Sequence, residues 1–106
     1  MQGMIPMNSI KKFTVQSDRG FDTFVMQLHE RHVQGWPNLY MYMGKYFQPV
    51  KDFESFVYGT MVMQAYAVRI GIEALRRSIP YCMGSLYWQI NDVWPVFSWS
   101  SIDYYG

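Results

Sequence analysis

Between Lys51 and Ser78 the chain carries one unbroken helical period, and its length constrains what can form around it. Phe53, Val57, Met61, Ala65, Val68, Ile72, Leu75 and Ile79 recur at spacings of three and four, which sets them on one stripe of a helix. Phe56, Met63, Ala67, Ile70 and Ala74 widen the stripe and predict burial on more than one side. Asp52 is the expected N-cap, Pro49 lies just outside the start, and Pro80 ends the run. Arg69, Glu73 and Arg77 stand four apart and can pair along the exposed edge, each pair contributing about 0.2–0.5 kcal/mol. At the helical rise this segment spans roughly 42 Å. A compact globule of this size has a radius of gyration near ~13 Å, so a diameter of about 34 Å. Unless it bends at Gly59 or Gly71, the helix overhangs such a globule, and the chain reads as a piece of something larger.

The 106 residues allow one domain at most. Half are hydrophobic and 19% aromatic, which argues against disorder. The formal charge is +1, with Lys and Arg scattered, so no basic stripe invites nucleic acid. Cys82 stands alone; it cannot close an internal disulfide and is expected as a small buried hydrophobe. No uncharged apolar run reaches membrane-spanning length, so no membrane partner is expected. Met1-Gln-Gly-Met-Ile-Pro6 has neither the basic start nor the apolar stretch of a secretory signal.

The pattern divides the chain into four segments. Residues 1–50 are expected as loop and short helices: irregular to about residue 20, with Phe13–Val15 briefly extended; a helix over Phe21–His32 starting near Asp22 or Thr23; a break at Gln34–Asn38; and a helix over Asn38–Phe47 capped by Asn38. Residues 51–79 are the long helix. Residues 81–92 are expected as a strand, because Leu86, Trp88 and Ile90 alternate with Ser85, Tyr87, Gln89 and Asn91. Residues 93–106 read as a loop. A long helix followed by a single strand with nothing to pair it is one unit of a parallel α/β barrel.

The segment Tyr81–Gly106 is the most informative for function. Eight of its 26 residues are aromatic, and its only charges are Asp92 and Asp103. Such a stretch forms either a buried core or a sugar-binding wall: aromatic faces stack on pyranose C–H faces while amides and carboxylates bond hydroxyls.

Tyr87-Trp-Gln-Ile-Asn-Asp-Val-Trp-Pro95 resembles the Tyr-Trp-Gln-Leu-Asn-Asp-Cys-Trp-Pro stretch that closes the catalytic barrel of β-mannosidases of glycoside hydrolase family 2. Asp52-Phe-Glu54, Gly71–Arg77 and Ile79–Gly84 resemble the helix before the last barrel strand. Met26, His29, Arg31 and His32 resemble a Met…His-x-Arg-His run. Met1-Gln-Gly-Met4 resembles the residues just after the family's Ser-Glu-Phe/Tyr-Gly motif at the end of the seventh strand. Ile90, Val93 and Phe97 replace Leu, Cys and Ala, all apolar for apolar.

The resemblance implies a fold that is α/β by parentage: a fragment of a (β/α)8 TIM barrel from the end of strand 7 through strand 8, mostly α-helical in isolation with one strand. It implies a retaining exo-β-mannosidase that removes terminal β-linked mannose from oligosaccharides, with no cofactor. The nucleophilic Glu would lie just before Met1, the acid/base Glu further upstream, and the final barrel helix beyond Gly106. Retaining glycosidases need two carboxyls about 5–5.5 Å apart and a complete barrel about 250 residues, so the chain alone is expected to be inactive. No residue within it is assigned as catalytic.

By the same resemblance Trp88 stacks under the sugar at the cleaved bond, and the Trp88–Gln89 peptide is expected to be cis. Read from alternation alone, Trp88 is a core residue. Asn91 and Asp92 either bond substrate hydroxyls or support the loop. Trp94 lines the pocket rim or packs the loop, and Trp99 packs. Asp92 with Asp103 makes a poor acid/base pair, since nothing fixes their separation. His29 and His32 share a face without a third metal ligand, and the methionines fill core gaps. Two other classes remain open: a non-catalytic sugar-binding module and a helical interaction domain. An unpaired barrel strand and an uncovered helix face predict self-association.

Overall fold

The structure, a computed structural model, describes residues 2–106, so Met1 and its share of the Met1–Met4 resemblance lie outside the described residues. Among the described residues four helices occur in order: α1 (Met7–Ile10), α2 (Phe24–Leu28), α3 (Gly35–Tyr46) and α4 (Phe53–Arg77), with a 3-10 turn at Gln16–Asp18.

The cap of α4 is where the sequence puts it. The Asp52 carboxylate accepts from the Ser55 amide at 2.7 Å, satisfying a donor that the first turn leaves open. Glu54 in the first turn and Arg76 and Arg77 in the last complement the helix dipole. Arg69 pairs with Glu73 at 2.7 Å and Arg77 with Glu73 at 4.0 Å. The Ser78 hydroxyl donates to Ala74 O at 3.1 Å as the helix ends.

Only the first half of α4 is built into the core. Phe56, Val57, Thr60, Met63 and Gln64 are buried, whereas no residue from Ala65 to Asn91 is. Burial on more than one side along the whole helix is therefore not what forms; α3, residues 3–4 and the last loop pack on its N-terminal half. The radius of gyration is 14.9 Å and the extents are 52 × 32 × 23 Å, more elongated than the ~13 Å of a compact domain.

The core joins Met4, Ile5 and Ile10 to Met26 of α2, Trp36, Leu39 and Met43 of α3, Phe56, Val57 and Met63 of α4, and Phe97. Phe97, Ile10 and Met26 are completely excluded from solvent, each such side chain contributing about 1.5–3 kcal/mol by burial. Gly59 lets α3 approach α4: a Cβ there would stand 2.5 Å from the Met43 methyl.

Several expectations need correction. Residues 7–10 form a helical turn rather than irregular chain, with Pro6 before its first residue, and Phe13–Val15 is not a strand. Helix α2 is capped by Thr23, whose side chain accepts from Met26 N, but it stops at Leu28. There the backbone turns away to meet Phe97: Phe97 N donates to His29 O at 2.8 Å and Arg31 N to Phe97 O at 3.1 Å. Helix α3 begins at Gly35, not Asn38. Pro37 then falls in the first turn, where its missing N–H costs nothing, and Asn38 N donates to Gln34 O at 3.0 Å instead of capping. Gly35 makes room for the Glu30 carboxyl group, which a Cβ there would displace.

The strand expected over 81–92 does not form. Among the described residues there is no sheet, only an isolated parallel bridge between Glu30 and Phe97. Leu86, Trp88 and Ile90 alternate as expected, yet all three are exposed. A strand is stabilised by neighbours that take up its backbone groups, and here Gln89 O and Ile90 O accept from Ser101 N and Ile102 N at 3.3 and 2.9 Å. Cys82 is half-buried rather than in the core, its thiol 3.0 Å from Gly84 O.

Candidate functional site

Phe97 organises the aromatic tail. Locked in the core and bridged to the turn after α2, it holds the loop from Asn91 to Ser100 against the body of the chain. Gly3 N donates to Ser98 O at 3.3 Å, and Gln64 of α4 donates to Ser100 O at 3.3 Å. The loop is thus tied to three separate segments.

Asp92, the buried carboxylate of this loop, uses both oxygens. Its Oδ1 accepts from Gln89 Nε2 at 2.8 Å and its Oδ2 from the Ser98 hydroxyl at 2.5 Å. These two bonds tie the residues before and after Asp92 into one loop. Gln89 Nε2 also lies 3.1 Å from Asn91 O and 3.2 Å from Ser100 Oγ. Asp103 likewise serves its own turn, accepting from Tyr105 N and Gly106 N at 3.0 Å.

Trp88 precedes this network directly, and its peptide bond to Gln89 is cis. Its side chain is 73% exposed, so it is not a core residue. A Trp this exposed, next to a residue held by polar partners on several sides, presents an aromatic face on a fixed base. Asn91 is exposed beside it. Trp94 is partly exposed and packs against His29 in a tilted arrangement, with centroids 5.1 Å apart.

His29 and His32 have separate duties. The His29 ring packs on Phe13 at 4.2 Å, and its Nδ1 bonds Pro95 O. A carbonyl only accepts, so Nδ1 carries the proton. His32 Nδ1 accepts from Gln34 N at 3.1 Å, and its ring meets the Trp99 face edge-on at 6.1 Å.

Glu30 carries no signal in the sequence that marks it. Its Oε1 accepts from His32 N at 3.0 Å and from Gln2 Nε2, while Oε2 is buried without a partner among the described residues. Burial pushes its pKa above the ordinary carboxylate value, opposed by the His32 amide and the Gln2 side chain. Gln2 also donates to Phe97 O at 3.1 Å. Sequence reasoning misses Gln89, Ser98 and Ser100 as well. The Ser98-x-Ser100 spacing places two hydroxyls on one side of an extended segment, the one signal that would have marked them.

Likeness to known proteins runs through this site and the rest of the chain. β-Mannosidase B of Aspergillus flavus is 29% identical over 109 aligned residues, covering 99% of this chain. The β-mannosidase B of Emericella nidulans gives the same figures and that of Aspergillus niger is 28% identical. The β-D-mannosidase of Dictyoglomus thermophilum is 34% identical with a TM-score of 0.93, again over 99% of the chain. The chain spans 13% of the length of each. No protein-family model matches. In sequence and in fold, the chain is similar to one part of these β-mannosidases.

Proposed function

We propose that the chain is the portion of a retaining exo-β-mannosidase of glycoside hydrolase family 2 that runs from the end of barrel strand 7 through strand 8 of a (β/α)8 TIM barrel, and that it forms part of the mannose pocket. The carrying observation is Trp88, 73% exposed beside the Gln89–Asp92–Ser98 network. Likeness to β-mannosidases over 99% of the chain and 13% of theirs supports the parentage. The parent releases terminal β-linked mannose from oligosaccharides without a cofactor.

In this reading Trp88 packs its indole face on the C–H face of the mannose ring, and Asn91 offers its amide to ring hydroxyls. Asp92 holds the loop and thereby the position of Trp88. It acts on substrate through that support, because both its oxygens are engaged. Trp94, braced by His29, forms the rim. The nucleophile and acid/base carboxyls, which must stand about 5–5.5 Å apart, belong to other parts of the parent. Alone the chain does not hydrolyse glycosides.

A chimera tests this. The matching segment of the Dictyoglomus thermophilum β-D-mannosidase is replaced by this chain, and hydrolysis of an aryl β-mannoside is followed. The chimera keeps activity, and Trp88→Ala lowers kcat/KM by at least about 100-fold with the fold intact by circular dichroism. Full activity in the Trp88→Ala chimera, or turnover by the isolated chain, overturns the proposal.

A further inference from the structure

We infer that His29 is a positioning residue for Trp94, holding the indole in place through the carbonyl of the proline that follows it. Its bearing on substrate rests on the reading of Trp94 as the pocket rim.

Three contacts run from His29 into residues 94–97. His29 O accepts from Phe97 N at 2.8 Å, the ring Nδ1–H donates to Pro95 O, and the ring packs against Trp94 with centroids 5.1 Å apart and planes tilted by 37°. The other end of this linkage is firm. His29 closes α2, where its N–H donates to Val25 O at 3.1 Å. Its ring stacks on Phe13 at 4.2 Å, and Phe13 is packed against the core.

The course of the loop makes Pro95 O the effective handle. Val96 and Phe97 are buried at 1% and 0% exposure, whereas Trp94 is 37% exposed, so the chain leaves the core between them. Proline has no N–H, and its carbonyl is the one main-chain group by which it can be hydrogen-bonded. The proline ring also fixes φ at residue 95 and confines the backbone of residue 94 to extended conformations. A bond to that carbonyl therefore reaches the Trp94 backbone with little slack. The tilted ring contact is less directional and adds to a position the hydrogen bond has already set.

Two measurements test this. In the 15N-labelled chain the Trp94 indole N–H, identified by Trp94→Phe, has an order parameter of about 0.85, which falls below about 0.6 in His29→Ala. His29→Asn keeps an N–H for Pro95 O without the ring and recovers most of that order, with circular dichroism unchanged in both variants. In the chimera with the Dictyoglomus thermophilum β-D-mannosidase, His29→Ala raises KM for the aryl β-mannoside about tenfold and leaves kcat within about twofold. His29→Asn stays within about threefold of wild type, and the His29→Ala effect vanishes once Trp94→Ala is present. A Trp94 indole equally ordered in wild type and His29→Ala, no recovery in His29→Asn, or a His29→Ala effect on KM that persists in full without Trp94 overturns the inference. The mannosidase reading fails on a different result, full activity of the Trp88→Ala chimera.

Discussion

The Asp92 carboxylate and the Ser98 hydroxyl meet at 2.5 Å, and both residues are nearly closed to solvent, at 8% and 3% exposure. A buried carboxylate held by one hydroxyl and one amide makes this loop a unit whose parts fail together.

Removing the hydroxyl therefore exposes the cost of the charge it satisfied. Ser98→Ala leaves Asp92 Oδ2 buried without a donor and lowers stability by about 1–3 kcal/mol. The double variant Ser98→Ala with Asp92→Ala, which removes both partners, costs less than the sum of the single changes. Urea unfolding midpoints for wild type, both single variants and the double variant measure the coupling; strict additivity would mean the pair is not coupled.

Glu30 sets a pH dependence of the opposite sign to the usual ion-paired carboxylate. Burial raises its folded pKa above the reference 4.5, so over the window from that value up to the raised one the folded state binds more protons than the unfolded state. The contribution of Glu30 is then most favourable below about pH 4.5 and declines as pH rises through the folded pKa. His32 and Arg31 are the cationic or titratable groups beside it in sequence, and Asp22 and His32 share the adjoining cavity. Glu30→Gln keeps an acceptor for His32 N and removes the titration. The difference in unfolding midpoint between wild type and variant shifts in the variant's favour from about pH 4 to about pH 7. A difference independent of pH in that range would contradict the assignment.

The uncovered half of α4 predicts self-association, which we propose for the isolated chain. Ile70, Ile72 and Leu75 are exposed on it, and Ile79, Leu86 and Ile90 beyond it, and exposed apolar side chains gathered in this way favour association. Light scattering after size exclusion finds dimers or larger species at micromolar concentration, and Ile72→Glu with Leu75→Glu releases monomers. A monodisperse wild-type monomer is the contrary result.

The long helix and its Asp52 cap are legible in the sequence, as is the start of α2 to within Asp22 or Thr23, of which the structure takes Thr23, and the resemblance implies the cis Trp88–Gln89 bond. The two caps and the helix are local: the pattern that predicts them lies within one or two turns. The cis bond comes from the resemblance. The strand at 81–92 is misread because alternation reports which way side chains point, not whether a neighbouring strand exists. The start of α3 is misread because Gly35 and Pro37 look like breakers until Glu30 occupies the space beside Gly35 and Trp36 packs against Phe56 and Phe97.

What the order of residues determined by itself was the helical periodicity of α4, its Asp52 cap and the concentration of aromatic and amide groups after Pro80, since each depends on neighbours a few positions away. What only the tertiary structure decided was where α2 stops, that the half-buried Glu30 meets Gln2, and that the loop after Asn91 is anchored through Phe97. Those outcomes rest on partners far apart in the chain, as when Gln2 reaches Phe97 across 95 positions. Such contacts form only when the core closes around Phe97, and no local pattern encodes them.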